Sequence, residues 1–132
     1  MNNLIFSFLL CLITVSGLAK SSVDNLSEQQ IKTLLCHKWK LTTLEGKGKK
    51  MDIPASSPEV ILHFLSNGTL QEKAGDKAYK GTWTYDHSKL TVTTVDKDGT
   101  ELHTIVDISD DKLRMKTKFM GVPVIYGMQR MD

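Results

Sequence analysis

An all-β fold, an eight-stranded antiparallel up-and-down barrel preceded by a short N-terminal α-helix, is what the 132-residue sequence predicts. Three observations carry that expectation. After Trp39 apolar residues recur at every second position, the spacing that lines one face of a strand. Turn signals then return about every ten residues. The connections are too short for a crossover helix, so neighbours in sequence pair antiparallel. An eight-stranded twisted meander with one apolar face removes its edges by closing on itself, and its interior is filled by side chains or holds one small ligand.

Ahead of this pattern the chain differs. Residues 1–19 hold 13 hydrophobic residues and no charge, with an apolar run from Leu4 to Val15, then Gly17-Leu18-Ala19, then Lys20 as the first charge. The small-x-small triplet suits a signal peptidase, and the run falls short of the roughly 20 residues that cross a bilayer. An export signal cleaved after Ala19 is expected, which makes the protein extracytoplasmic (periplasmic or secreted) and not an integral membrane protein. Cys11 does not fit a lipoprotein acceptor, because Leu10 precedes it where a small residue belongs. Residues 20–26 are expected to be a flexible N-terminus and 27–132 a single domain, since the chain after Ala19 suffices for one core. All 17 basic and 15 acidic residues lie in that part, interspersed. This near-neutral balance points away from nucleic acid, whose binders concentrate Lys and Arg. Cys36 is the only cysteine there, so no internal disulfide is available and its bland role is a small buried side chain. The protein is expected to be a monomer.

Ser27 followed by Gln30 fits a capping box, and Ile31, Leu34 and Leu35 then fall on one helical face, which gives a helix over about 28–36. Lys38 to Leu44 is the first strand, and residues 46–58 form a loop with two prolines and a basic knot. Val60 to Leu65 closes on Asn67-Gly68, a pair suited to a type I′ turn. Strands follow at Thr69 to Lys73, Ala78 to Tyr85, Lys89 to Val95, Glu101 to Ile108, Lys112 to Lys118 and Val122 to Met131. The apolar face that alternation assigns to the interior holds Trp39, Leu41, Val60, Leu62, Phe64, Tyr79, Trp83, Leu90, Val92, Leu102, Val106, Leu113 and Met115.

Taken in this order the residues resemble a family. Trp39 opening the first strand after a short helix, Phe64 ahead of Asn67-Gly68-Thr69, Gly81-Thr82-Trp83-Thr84-Tyr85, and a closing strand with Tyr126 and Arg130 look like the small exported lipocalin-like domains, over residues 33–131. The resemblance implies a binding protein with its site in the barrel mouth. It also implies that Trp39, with His37 standing where lipocalins carry Gly, closes the barrel base under Arg130 by cation–π stacking.

The ligand, a small apolar or amphipathic molecule, is expected against Phe64, Tyr79, Trp83, Tyr85, Leu90 and Met115, with the aromatics supplying buried area and the tyrosine hydroxyls orientation. The same aromatics would serve equally to fill the barrel. Lys47, Lys49 and Lys50 in the 46–58 loop would then lie over the mouth and attract an anionic head group. If the barrel is filled, they would instead draw an acidic partner to an interaction module or inhibitor. That segment lacks the Gly-Lys-Ser/Thr and helix of a phosphate-binding loop.

No metal or cofactor is expected. His37, His63, His87 and His103 lack the close spacing of a zinc motif, with His63 and His103 placed outward. Asp96-Lys97-Asp98-Gly99 lacks the later bidentate acid of a calcium loop and reads as a hairpin turn. The sequons at Asn25 and Asn67 coincide with a helix cap and a turn, so both read as structural. No Ser, His and acid can be argued into one site, and the protein is expected not to be an enzyme.

Overall fold

The computed structural model describes residues 22–132; the export signal and cleavage site expected in residues 1–19 lie outside them. The chain runs through α1 (Ser22–Asn25), α2 (Glu28–Leu35), β1 (Lys38–Gly46), β2 (Lys49–Asp52), β3 (Val60–Phe64), β4 (Thr69–Ala74), β5 (Lys77–Asp86), β6 (Thr91–Asp96), β7 (Gly99–Ile108), β8 (Lys112–Phe119) and β9 (Val122–Arg130). Every strand is antiparallel to its neighbour, and pairing of β1 with β9 closes the sheet into an eight-stranded barrel. β2 and β3 share one position, on the upper and lower parts of β1 respectively.

Ser27 begins α2 as expected, because its side chain accepts from the Gln30 N–H while the Gln30 side chain accepts from the Ser27 N–H. Ile31 and Leu35 of that helix are fully buried against the end of the barrel where β1 starts. The Trp39 indole N–H donates to the Leu35 carbonyl at 3.0 Å, tying helix to barrel. Around this base pack Phe64, Leu70, Trp83, Tyr85, Val92, Ile108, Leu113 and Met128. Phe64 and Trp83 meet edge to face with centroids 5.6 Å apart, an arrangement aromatic quadrupoles favour.

Several expectations are corrected. Residues 22–25 are not frayed but form one helical turn, whose Val23 is buried in the core. The 46–58 segment is not all loop, since Lys49 and Lys50 lie in β2, opposite Gly46 and Glu45. Asn67-Gly68 is not a type I′ turn. Only Gly68 has positive φ, Leu65 accepts from the Gly68 N–H, and the Asn67 side chain accepts from the Thr69 N–H, the pattern of a type I turn ending in a left-handed glycine. In β7 the parity is reversed: Leu102 is 61% exposed, whereas His103 and Ile105 point inward. A bulge between Ile105 and Asp107 then brings Ile108 inward as well.

Candidate functional site

The turns after β1, β4, β6 and β8 lie at the end opposite the helices, and this rim is where the interior changes character. Pairing sets Glu72 against Tyr79, Thr94 against Glu101 and Met115 against Tyr126. The alternation that buries Leu70 and Trp83 lower down therefore turns Glu72, Tyr79, Thr94, Asp96, Glu101, His103 and Tyr126 toward the barrel axis. Apolar residues fill the base, and polar ones line the mouth.

His103 is the centre of this layer. It is 6% exposed, its Nε2 lies 3.1 Å from the Thr94 hydroxyl, and its Nδ1 is hydrogen-bonded to the Tyr126 hydroxyl, whose ring stands perpendicular to the imidazole. A neutral imidazole has one N–H and one acceptor nitrogen, and the two hydroxyls satisfy both. Burial pulls the His103 pKa down to about 4 and pushes the Tyr126 phenol up. The carboxylate of Glu101 stands 3.6 Å from Nε2 with its own side chain largely in solvent.

Above His103 is a cavity of about 420 Å³ lined by Glu72, Tyr79, Asp96, Asp98, Gly99, Thr100 and Glu101. Burial, then the carboxylates of Asp96, Glu101 and Asp98, raise the Glu72 pKa. Among the described residues Glu72 has no ion-pair partner, and the nearby Lys97 ammonium lies 5.4 Å from the centre of the Tyr79 ring. The mouth is thus an acidic, aromatic-edged opening over a buried hydroxyl–imidazole layer.

The six residues expected to hold a ligand do not converge. Phe64, Trp83, Tyr85 and Met115 are buried core. Leu90, with φ of 52°, sits in the β5–β6 turn at the base and packs partly on the core. Only Tyr79 reaches the mouth cavity. The edges of Trp83 and Tyr85 also line an outer groove of about 850 Å³ beside α2, with Cys36 and His37. Lys47, Lys49 and Lys50 stand on the β1–β2 hairpin, on the rim but apart from the cavity. Trp39 is fully buried as expected, and Arg130 is its register partner. The guanidinium nevertheless turns away, to the Asp132 carboxylate at 3.2 Å and the Asp110 carbonyl at 3.3 Å. The ring that meets Trp39 edge-on is His37.

His103 and Tyr126 escaped the sequence reading for different reasons. Unbroken alternation through β7 points His103 outward, and Tyr126 carries no signal beyond its place in the closing strand. Ile105 and Ile108, three apart in a strand otherwise of period two, were the trace of the bulge that sets that parity. Among the described residues no three His, Cys, Asp or Glu side chains come together as a metal site.

A closed barrel, packed at one end and open at the other, is the architecture of small β-barrels that bind in their mouths. The chain belongs to the lipocalin-like domain family, whose model matches residues 35–115, from the last residue of α2 into β8. No curated protein and no solved structure matches the chain.

Proposed function

We propose that this protein is an exported carrier that binds a small amphipathic molecule in the mouth of the barrel, with the polar end of that molecule held by the rim acids. The observation that supports the reading most is the buried His103–Tyr126–Thr94 layer beneath the acid-lined cavity. Buried polar groups cost stability relative to a well-packed apolar layer unless they are hydrogen-bonded, and a satisfied polar layer at this depth gives the mouth a rigid polar floor. Glu72 and Glu101 offer negative charge, which suits a cationic or hydrogen-bond-donating head group. The apolar tail would lie along the partly buried Leu41, Leu62 and Tyr126.

The same layer favours binding over turnover. An imidazole held near 4 is a weak base, and both of its nitrogens are already occupied by hydroxyls. The packed base leaves the apolar aromatics no part in the site.

Calorimetric titration with dodecyltrimethylammonium, dodecanol and dodecyl sulfate below their micellar concentrations tests this reading. The cationic amphiphile should saturate one site per chain, and the double variant Glu72→Gln, Glu101→Gln should weaken it by on the order of tenfold while leaving dodecanol unaffected. Absence of saturable binding, or equal binding of the sulfate, would sink the proposal.

A further inference from the structure

The rim is divided by charge. Around the β6–β7 turn Asp96, Asp98 and Glu101 make it acidic, whereas around the β1–β2 and β8–β9 turns it is basic and apolar. Register places the two basic hairpins side by side, since Val124 pairs with Gly46 on one side and Thr117 on the other. Lys47, Lys49 and Lys50 come from the first hairpin, and Lys116 and Lys118 from the second; all five are exposed. Lys47, Lys49, Lys50 and Lys116 line a hollow of about 370 Å³ together with Glu45, Pro123 and Ile125. Among the described residues none of the five lysines takes part in an ion pair; Glu45 is held by Arg114 at 3.2 Å, and Asp52 lies exposed on β2 two residues from Lys50.

At the apex of the second hairpin stand Phe119 and Met120, 67% and 89% exposed. The turn is tight, with Met120 at φ 53° and Gly121 at φ 80°, so both side chains project from the end of the barrel. Met51, opposite Leu44 on β2, is a further exposed apolar residue of the first hairpin. Protruding apolar side chains ringed by unpaired cations match a partner that is anionic at its surface and apolar just beneath.

We propose that this corner of the rim docks the protein on an anionic phospholipid membrane, with Phe119 and Met120 entering the head-group boundary and the five lysines facing the phosphates. Charge complementarity and the apolar apex select the occupant: a bilayer supplies both chemistries in one plane. The acidic corner, with Asp96, Asp98 and Glu101, is repelled by the same surface and sets the tilt, β8–β9 turn down and β6–β7 turn away. The docking surface stands whether or not the barrel carries a ligand.

The test is co-sedimentation of the full chain with vesicles of phosphatidylcholine alone and of phosphatidylcholine mixed with phosphatidylglycerol. Residues 1–19 are common to every protein compared, so the readout is the difference between variants and between vesicle types. Binding to the anionic vesicles should fall on the order of 100-fold in K47Q/K49Q/K50Q, at about fivefold per lysine, and with rising salt. F119S/M120S should lose on the order of tenfold. K89Q/K112Q, which removes two exposed charges from the base end, should bind as the parent does. A Phe119→Trp variant should shift its emission to the blue on anionic vesicles only. Equal binding to both vesicle types, or a loss in K89Q/K112Q as large per lysine as in the hairpin variant, would overturn the proposal. A concentration-dependent dimer abolished by F119S/M120S would assign the corner to a second copy of the chain instead.

Discussion

At the base of the barrel Phe64, Trp39 and Leu35 are sealed from water, and the one polar group each indole carries is satisfied by a backbone carbonyl. At the rim Glu72 is half-buried with no ion-pair partner among the described residues, His103 is buried among hydroxyls, and Phe119 stands in solvent. Both ends belong to the same strands, so the contrast is not one of secondary structure. It separates residues that lower the free energy of the fold from residues the fold carries at a cost. Rim features that packing would have selected against are the ones to connect with binding.

Deleting one aromatic ring at the base gives the largest expected effect. Phe64→Ala removes a fully buried ring that meets Trp83 edge to face, in a core too closely packed to collapse around the gap. The loss should be about 3–5 kcal/mol, read from the midpoint of urea unfolding at an unchanged slope. A loss under about 1 kcal/mol would mean that the base is loose, and the contrast with the rim would fail.

Acid should act at the rim first. Above pH 6.5 the imidazole of His103 is neutral in both the folded and the unfolded chain. Between 6.5 and about 4 the unfolded chain takes up a proton that the folded chain refuses, so stability falls as pH falls, by roughly 3 kcal/mol in total. His103→Leu should flatten that limb of the stability curve. Glu72 runs the other way. Its raised pKa means that the carboxylate is a burden at neutral pH and that the burden lifts as acid protonates it. Glu72→Gln should therefore stabilise at pH 7 by less than about 1 kcal/mol, since the group is only half-buried, and the gain should vanish at low pH. A Gln variant less stable at pH 7 would show an unseen cation on the carboxylate.

The base was more legible in the sequence than the rim, and the reason is periodicity. Trp39, Phe64, Val92, Leu113 and Met115 sit inside, where alternation put them, because burial on one face is what writes that pattern. β2 left no such pattern: Lys49, Lys50, Met51 and Asp52 are all exposed, and the strand is held by its pairing with β1. In β7 the bulge shifted the parity, so Leu102 was read inward and His103 outward. The mouth acids looked like ordinary surface charge. Glu72, Asp96 and Glu101 come together only through the register of β4 to β7, which no local feature of those residues encodes.

The smallest expected effect completes the contrast. Phe119→Ala deletes the same ring as Phe64→Ala, but from a side chain that is two-thirds exposed at the tip of a hairpin. Little apolar area is returned to water and no cavity is made, so unfolding should move by no more than about 0.5 kcal/mol in either direction. A shift above about 1 kcal/mol would mean that the ring is packed in solution, and that loss of vesicle binding in its variants reports a damaged hairpin. A null shift in stability, combined with weakened binding to anionic vesicles, would separate what the two rings do: one holds the barrel together, and the other is held out by the barrel for a partner.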